Sequence, residues 1–180
     1  MILSHIECLE RLGTRQAIAK AVAKGELFKI ERGIYADKAY VPFVEVALKR
    51  YPEAFVTLDS AFFYQGLTDI VPEALHLACA REATRSNDKR IVQHFVPEKI
   101  LHLGECEVEY NGSKLRTYNL ERLAIEVARM KSKLPPDLYK EVVLSLRGRV
   151  GEMYPAKIDD YLVEFTYRDK IMETIRKEIF

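Results

Sequence analysis

Residues 13–36 read GTRQAIAKAVAKGELFKIERGIYA, and this stretch decides the fold prediction. A helix is predicted from Arg15 to Lys24, with Thr14 as its N-cap and Gly25 as its C-terminal stop. Two β-favouring runs and the turn between them follow, at residues 27–30, 34–36 and 31–33. The stretch therefore predicts a helix followed by a β-hairpin.

A second amphipathic helix is predicted immediately before this stretch. Apolar residues at positions 2, 3, 6, 9 and 12 have helical spacing from Ile2 to Leu12, and Gly13 can end the helix. Helix, tight turn, helix and hairpin, in that order, form the plan of a winged helix-turn-helix. Only two helices fit before the hairpin, whereas a full winged-helix domain has three. We therefore predict a truncated winged helix-turn-helix module over residues 1–38.

The same stretch carries a local excess of positive charge. Residues 11–38 contain seven basic and three acidic side chains, whereas residues 41–80 contain two basic and five acidic ones. Because the net charge of the whole chain is only +1, any binding to nucleic acid is expected to depend on this local patch. In a winged helix-turn-helix the second helix enters the major groove and the hairpin lies near the backbone. The residues expected to contact DNA are Arg15, Gln16, Lys20, Lys24, Lys29 and Arg32. The alternative is an ordinary solvated surface.

Residues 39–180 predict a mixed α+β domain, with strands in its first half and helices in its second half. Strands are expected around residues 75–78 and at 91–96. Asn111-Gly112 is a strong two-residue turn signal and predicts a hairpin between residues 106–110 and 114–118. Helices are predicted at residues 41–50, 59–65, 120–130, 136–146 and 158–178. The fold class of the whole chain is therefore predicted to be α+β.

The cysteines and the chain start indicate the cellular compartment. Cys8, Cys79 and Cys106 are far apart, with no C-x-x-C pair and no histidine at metal-ligand spacing, so we expect reduced thiols and no structural zinc. The start lacks the features of a signal peptide, and no stretch approaches the ~18 apolar residues that span a bilayer. The sequence thus predicts a cytoplasmic protein with no metal, no cofactor and no membrane contact.

No catalytic set can be assembled from the sequence. The four histidines lie in separate segments, at His5, His76, His94 and His102. Three glutamates share one face of a predicted strand, at Glu105, Glu107 and Glu109. A solvated face is the simpler interpretation of these carboxylates, and a nuclease site is the alternative. Because P-loop and dinucleotide-binding fingerprints are also absent, we expect a binding protein and not an enzyme.

A second basic cluster lies between two predicted strands. Its members are Arg81, Arg85, Lys89 and Arg90, with Glu82 and Asp88 interspersed. The cluster is expected to be either a solvated loop or a docking surface for an acidic partner or for nucleic acid.

Three segments carry a resemblance to a known family. They are Lys24–Leu27 with Ile30–Ala36, then Ser60-Ala61 with Gly66-Leu67 and Pro72, then Thr117–Arg122. The first is similar to the wing of the AbiEi antitoxins of type IV AbiE toxin–antitoxin systems. The second is similar to the helix and loop that open their antitoxin domain, and the third resembles their strand-to-helix "D-x-E-R" element. Glu126 stands where that family often has an aspartate.

The resemblance implies a function in two parts. An N-terminal winged helix is expected to bind the promoter of the protein's own operon, and a C-terminal domain is expected to counteract a toxin. The implied functional partner is an AbiEii-like nucleotidyltransferase, and a stable complex with that toxin is not implied. Two alternatives remain: an interaction-only antitoxin-like protein that lost DNA binding with the first helix, and the nuclease mentioned above.

Overall fold

The first three strands form one antiparallel sheet. In the computed structural model, which describes residues 1–180, these strands are β1 (Ile2–Ser4), β2 (Phe28–Glu31) and β3 (Ile34–Ala36). The strand order is β1-β3-β2, so the central strand β3 pairs with both of the others. β2 and β3 are joined by a tight turn at Arg32-Gly33, and the predicted hairpin is confirmed.

The chain begins with a strand where a helix was predicted from Ile2. Helix α1 spans His5–Leu12, and Ser4 is its N-cap. The Ser4 hydroxyl accepts a hydrogen bond from the Glu7 amide, while the Glu7 carboxylate accepts one from the Ser4 amide. This capping box fixes the helix start at His5. The residues before the cap pair with β3 instead, so the helix prediction is wrong for residues 2–4.

Two further helices belong to this part of the chain. Helix α2 spans Arg15–Ala23, and the Thr14 hydroxyl caps it by accepting a hydrogen bond from the Ala17 amide at 3.1 Å. Helix α3 spans Phe43–Arg50. The helices and the sheet bury one apolar cluster, which consists of Leu3, Cys8, Ile18, Ala21 and Leu27. The helix predicted after Thr14 is confirmed.

The chain divides into two compact units, Met1–Glu53 and Ala54–Phe180. Helix α3 belongs to the first unit because it contacts β1 and β3. Lys49 of α3 also places its Nζ atom 2.6 Å from Oε1 of Glu7 on α1. The boundary predicted after residue 38 therefore falls inside the first unit. The packing of α3 on the sheet is not predictable from the sequence, because that contact joins segments far apart in the chain.

The second unit contains a small mixed sheet and a hairpin. The strands are β4 (Phe55–Val56), β5 (Leu75–Ala80), β6 (Ile91–Val96), β7 (Glu105–Tyr110) and β8 (Ser113–Tyr118). The sheet order is β4-β5-β6, with β4 antiparallel to β5 and β6 parallel to it. Asn111 and Gly112 have φ angles of 51° and 80°, which a tight turn of the I′ kind requires. The predicted β7–β8 hairpin is confirmed.

Six helices complete the second unit. They are α4 (Leu58–Tyr64), α5 (Glu98–Leu101), α6 (Leu120–Arg129), α7 (Pro136–Gly148), α8 (Pro155–Leu162) and α9 (Arg168–Glu178). Helix α6 is buried along most of its length and contacts α4, α7, α8 and α9. The prediction of an α+β protein with a helical C-terminal half is confirmed. None of the helices combines the length and the apolar character that crossing a bilayer requires.

The last predicted helix, over residues 158–178, is in fact two helices. α8 begins earlier, at Pro155, whose fixed φ suits the first turn of a helix. Between α8 and α9, Tyr167 adopts the left-handed conformation with a φ of 59°. A left-handed residue cannot continue a right-handed helix. The prediction of one continuous helix is therefore wrong at residues 163–167.

Candidate nucleic-acid interface

The exposed face of α2 is basic and carries no acidic side chain. Arg15, Gln16 and Lys20 are exposed, and none of them forms an ion pair or a hydrogen bond to another side chain. Ile18 and Ala21 lie on the opposite face and are buried in the apolar cluster. Because the inner face is fully used in packing, the outer face is held in a fixed orientation toward solvent.

Small residues separate the long ones on this face. Ala19 and Ala23 are exposed, and helical spacing places them beside Gln16 and Lys20. A helix that reads DNA must enter the major groove deeply enough for its side chains to reach the base edges. The two methyl groups allow that close approach. Gln16 then offers the amide that suits an adenine edge, and Lys20 offers a cation to phosphate.

A tight turn connects α1 to α2. Gly13 adopts a φ of 82°, and its amide donates a hydrogen bond to the Leu9 carbonyl at 2.7 Å. Thr14 follows as the N-cap of α2, so the two helices are joined by two residues. The first turn of α2 contains no acidic residue, and Arg15 is its first member. The positive end of the helix dipole and an arginine therefore lie together, an arrangement that attracts phosphate.

The hairpin carries Lys29 on β2 and Arg32 in its turn, both exposed and without an ion pair. Gly33 has a φ of 81°, which lets the turn stay tight. The Gly33 carbonyl accepts a hydrogen bond from the His5 amide at 2.8 Å. This bond joins the hairpin turn to the start of α1 and fixes the position of Arg32 relative to the helix pair.

Two acidic residues of the first unit are paired with α3. Glu31 accepts a two-point hydrogen bond from Arg50, with the Arg50 Nε atom 2.9 Å from Oε1. The hydrogen bond from Lys49, with the bond from the Ser4 amide, lowers the pKa of Glu7 to about 2. The Glu7 carboxylate is therefore ionised near neutral pH. Glu7 and Glu31 are each partnered by a cation of α3, so neither neutralises the basic residues of α2.

Lys24 differs from the other predicted contact residues. It is exposed just after α2, and its Nζ atom lies 3.7 Å from a Glu26 carboxylate oxygen. Both side chains are more than half exposed, so this pair is weak and can exchange for a phosphate. All six residues predicted to contact DNA are thus exposed on the first unit.

The second basic cluster lies on the loop between β5 and β6, with every member exposed: Arg81, Arg85, Lys89 and Arg90. Arg90 forms a two-point ion pair with Asp88, with Nε–Oδ1 and Nη2–Oδ2 distances of 3.0 and 2.8 Å. The Arg85 guanidinium lies 5.1 Å from the centre of the Phe95 ring, a cation–π contact. Arg81 and Lys89 form no ion pair. The cluster therefore offers two uncommitted cations beside two that are held in place.

The loop that carries this cluster is held by Gln93 of β6. The Gln93 side-chain oxygen accepts a hydrogen bond from the Ser86 amide at 2.7 Å, and its NH₂ group donates one to the Thr84 carbonyl at 3.0 Å. The Ser86 hydroxyl accepts another from the Asp88 amide. The loop contains no regular helix, yet these bonds give it a defined shape.

His76 and His94 lie side by side on the parallel strands β5 and β6. The His76 Nδ1 and His94 Nε2 atoms are 3.2 Å apart, so one ring donates a hydrogen bond to the other. Burial lowers the pKa of both imidazoles below the usual value for histidine. This pair was not predicted, because the parallel pairing that brings the two strands together is not visible in the sequence. No three histidine, cysteine, aspartate or glutamate side chains are grouped in a way that could hold a metal ion.

The three glutamates of β7 form an exposed face, as expected. Glu105, Glu107 and Glu109 all point to solvent, while the residues between them are half-buried. The Glu105 carboxylate lies 2.8 Å from the ring of His102, and a Glu107 oxygen lies 3.4 Å from the Nζ atom of Lys114. These carboxylates make ordinary surface contacts.

Arg122, in the segment that resembles the AbiEi strand-to-helix element, is buried with a side-chain exposure of 1%. Its Nε and Nη2 atoms donate hydrogen bonds to Glu126 at 3.0 and 2.9 Å. Its Nη1 atom donates to two backbone carbonyls, at 2.7 and 3.1 Å. The guanidinium lies 4.5 Å from the Tyr118 ring centre and 4.9 Å from that of Phe165. This segment therefore holds the core of the second unit together.

Two neighbours of Arg122 also have structural roles. The Asn119 side chain caps α6 by accepting a hydrogen bond from the Arg122 amide at 3.0 Å. Glu121 is 4% exposed and accepts a hydrogen bond from the Tyr154 amide at 3.0 Å. Glu121 also lies in the first turn of α6, where its charge favours the positive end of the helix.

Comparison with known proteins gives a likeness in fold. No protein-family model matches this chain, and no curated protein matches its sequence. Among solved structures, the chain is similar to the RV2827C protein from Mycobacterium tuberculosis, with a TM-score of 0.63 and 12% sequence identity. The likeness covers 99% of this chain and 72% of that one. At this identity it is a likeness of fold alone.

Proposed function

We propose that the first unit is a winged helix-turn-helix that binds DNA, and that the protein is an antitoxin that represses its own operon. In this proposal α2 enters the major groove, with Arg15, Gln16, Lys20 and Lys24 near the DNA. The hairpin of β2 and β3 is the wing, which brings Lys29 and Arg32 to the phosphate backbone.

The arrangement of elements supports this proposal. A strand, two helices joined by a tight turn, and a hairpin follow one another, and the first strand pairs with the second strand of the hairpin. The interaction-only alternative is based on the helix that is missing before the hairpin. Helix α3 packs on β1 and β3, but it follows the hairpin and does not replace that first helix, so the binding experiment below distinguishes the two interpretations.

One observation carries the proposal: the outer face of α2 is basic, contains no acid and forms no ion pairs. A folded protein gains little from leaving two cations, Arg15 and Lys20, unpaired on one short helix. Phosphate is the partner that such a face suits best, and small residues between the cations permit entry into a groove.

The antitoxin part of the proposal is supported by the resemblance to the AbiEi family. The functional partner in this proposal is an AbiEii-like nucleotidyltransferase toxin encoded beside this chain. The second unit would counteract it, and the exposed loop with Arg81, Arg85, Lys89 and Arg90 is the surface that we assign to this role. The ordered shape of the loop supports that assignment, since a surface of defined shape is better suited to recognition.

DNA binding is tested by fluorescence anisotropy with the DNA upstream of the gene, over a series of salt concentrations. The test variant is Arg15→Ala, Lys20→Ala and Arg32→Ala combined. We expect the slope of log affinity against log salt to become less steep by roughly one for each phosphate contact that is lost. Gln16→Ala should instead relax the preference for one base pair, at a cost of about 1–3 kcal/mol.

A matched control removes the same charge from another part of the chain. Lys99, Lys140 and Lys157 are exposed lysines of the second unit, and all three are changed to alanine. This control should bind the upstream DNA as the unchanged protein does. The proposal is wrong if the unchanged protein shows no binding at low salt, or if the control loses as much affinity as the test variant.

The antitoxin role is tested by co-expression with the neighbouring gene and a reporter driven by the upstream DNA. The combined variant of Arg15, Lys20 and Arg32 should lose repression but still rescue growth. A second variant, Arg81→Ala with Arg85→Ala and Lys89→Ala, should keep repression and lose rescue. If the neighbouring gene is not toxic, or if the unchanged protein does not rescue growth, the antitoxin role is excluded.

A further inference from the structure

A groove lies between the end of α6 and the start of α9 in the second unit. Its volume is about 660 Å³, within the range of roughly 300–1,000 Å³ in which proteins bind small molecules. Residues 128–133 form one wall, and residues 166–174 contribute the other. The two walls are distant in the sequence, so the groove could not be predicted from it.

The charge of this groove is entirely positive. Four basic side chains line it, and no aspartate or glutamate does: Arg129, Lys131, Lys133 and Lys170. Hydroxyl groups of Ser132 and Thr166 complete the polar lining, while the Thr174 hydroxyl donates its hydrogen bond to the Lys170 carbonyl at 3.0 Å. Cations and hydroxyl donors without a carboxylate form a lining that suits an anion with several oxygen atoms.

Two of these cations have partners outside the groove. Arg129 donates to Glu126, with the Arg129 Nε atom 3.2 Å from Oε2, and Lys131 pairs with Glu178. Lys133 and Lys170 form no ion pair and are exposed. These two lysines are therefore available to a ligand without the loss of an existing contact.

The start of α9 adds to the positive potential. α9 is an 11-residue helix, and no side chain caps its N-terminus. Lys170 lies in its first turn, together with Asp169, whose exposed carboxylate faces Arg168 and does not line the groove. The free amides at this end and the helix dipole act in the same direction as the four cations, so they favour a negatively charged group.

Tyr167 lies at the edge of this groove. The residue is 82% exposed, which is unusual for a tyrosine, and its ring has no aromatic neighbour in contact. An exposed aromatic ring beside a phosphate-binding lining is the arrangement that proteins use to stack a nucleobase.

We propose that this groove binds a nucleoside triphosphate, with the phosphates on Lys133 and Lys170 and the base on Tyr167. Arg129 and Lys131 contribute positive charge to the phosphate end of the groove. The site is separate from the DNA-binding face of the first unit and does not depend on the proposed function.

The test is isothermal titration of the full chain with ATP, GTP, CTP, UTP and inorganic triphosphate. We expect the nucleotides to bind to the unchanged protein. Lys133→Gln combined with Lys170→Gln should lower the affinity for them at least about tenfold. Tyr167→Ala should lower the affinity for the nucleotides and leave the affinity for inorganic triphosphate unchanged. Lys140→Gln, an exposed lysine on α7 outside the groove, is the matched control and should bind as the unchanged protein does. Circular dichroism of each variant checks that the fold is retained.

Three results would overturn the proposal. The first is the absence of nucleotide binding at millimolar concentration. The second is nucleotide binding that the double lysine variant retains in full, which would place the ligand elsewhere. The third is retention of a short single-stranded oligonucleotide, lost in the double variant, while no mononucleotide binds. That result would make the groove part of a nucleic-acid surface.

Discussion

Arg122→Met is the substitution whose effect on stability the structure defines best. The change keeps an apolar stem between Tyr118 and Phe165 but removes the guanidinium, which makes two hydrogen bonds to Glu126 and two to backbone carbonyls. The Glu126 side chain is 3% exposed, so its charge cannot be solvated in the variant. Burial by itself would raise the pKa of Glu126, and Arg122 and Arg129 together hold it below the usual value.

The magnitude follows from what remains after the change. Breaking a buried ion pair by removing one partner costs about 3–5 kcal/mol. Arg129 still contacts Glu126, but its own side chain is 39% exposed and its contribution is reduced by solvent. We therefore expect Arg122→Met to lower the free energy of unfolding of the second unit by about 3 kcal/mol.

Urea unfolding, followed by far-ultraviolet circular dichroism at pH 7, measures this loss. Arg129→Met is the matched control: it also removes one arginine partner of Glu126, but it leaves the buried pair intact and should cost about 1 kcal/mol or less. A loss below about 1 kcal/mol in Arg122→Met would refute the reasoning. A loss of stability in Arg129→Met as large as that in Arg122→Met would also refute the reasoning, because the burial of Arg122 would then make no difference.

Three further predictions concern pH and backbone strain. Burial lowers the pKa of His76 and His94 in the folded state, so the unfolded chain takes up protons at a higher pH than the folded chain does. The melting temperature should therefore fall as the pH drops below about 6.5. His94→Gln should reduce this pH dependence of the melting temperature. Glu7→Gln should cost no more than about 1 kcal/mol by urea unfolding at pH 7, since the pair with Lys49 is partly solvated. The pKa of Glu7 is about 2, so that contribution is present above pH ~4.5 and is lost as pH falls toward 2. Tyr167→Gly should raise the free energy of unfolding by about 1 kcal/mol, because glycine adopts the left-handed conformation without strain. An unchanged or lower free energy of unfolding would contradict this prediction.

Local signals in the sequence predicted several elements correctly. The Asn111-Gly112 turn, the Thr14 cap and the hairpin around Gly33 each depend on residues within a few positions of one another. The exposure of the basic residues on α2 was also predictable, because it follows from helical periodicity. The Ser4 and Glu7 spacing of a capping box was present in the sequence too, and it would have corrected the start of α1.

Long-range contacts were not predictable from the single sequence. The pairing of β1 with β3 and the packing of α3 on that sheet decide where the first unit ends. The parallel pairing of β5 with β6 brings His76 beside His94, and the approach of α9 to the end of α6 creates the groove. Such contacts depend on the fit of surfaces that are distant in the chain, and hydrophobic periodicity within one segment carries no information about them.

The hydrogen bond from the His5 amide to the Gly33 carbonyl has a consequence for DNA recognition. It couples the hairpin turn to the start of α1, so the turn cannot move far without disturbing the helix that precedes α2. A protein surface of fixed geometry selects among DNA sequences by how easily each one bends or narrows its grooves to fit. If the first unit binds DNA as we propose, its sequence preference should include base pairs that no side chain touches, because the stiffness of the double helix at those positions affects the fit.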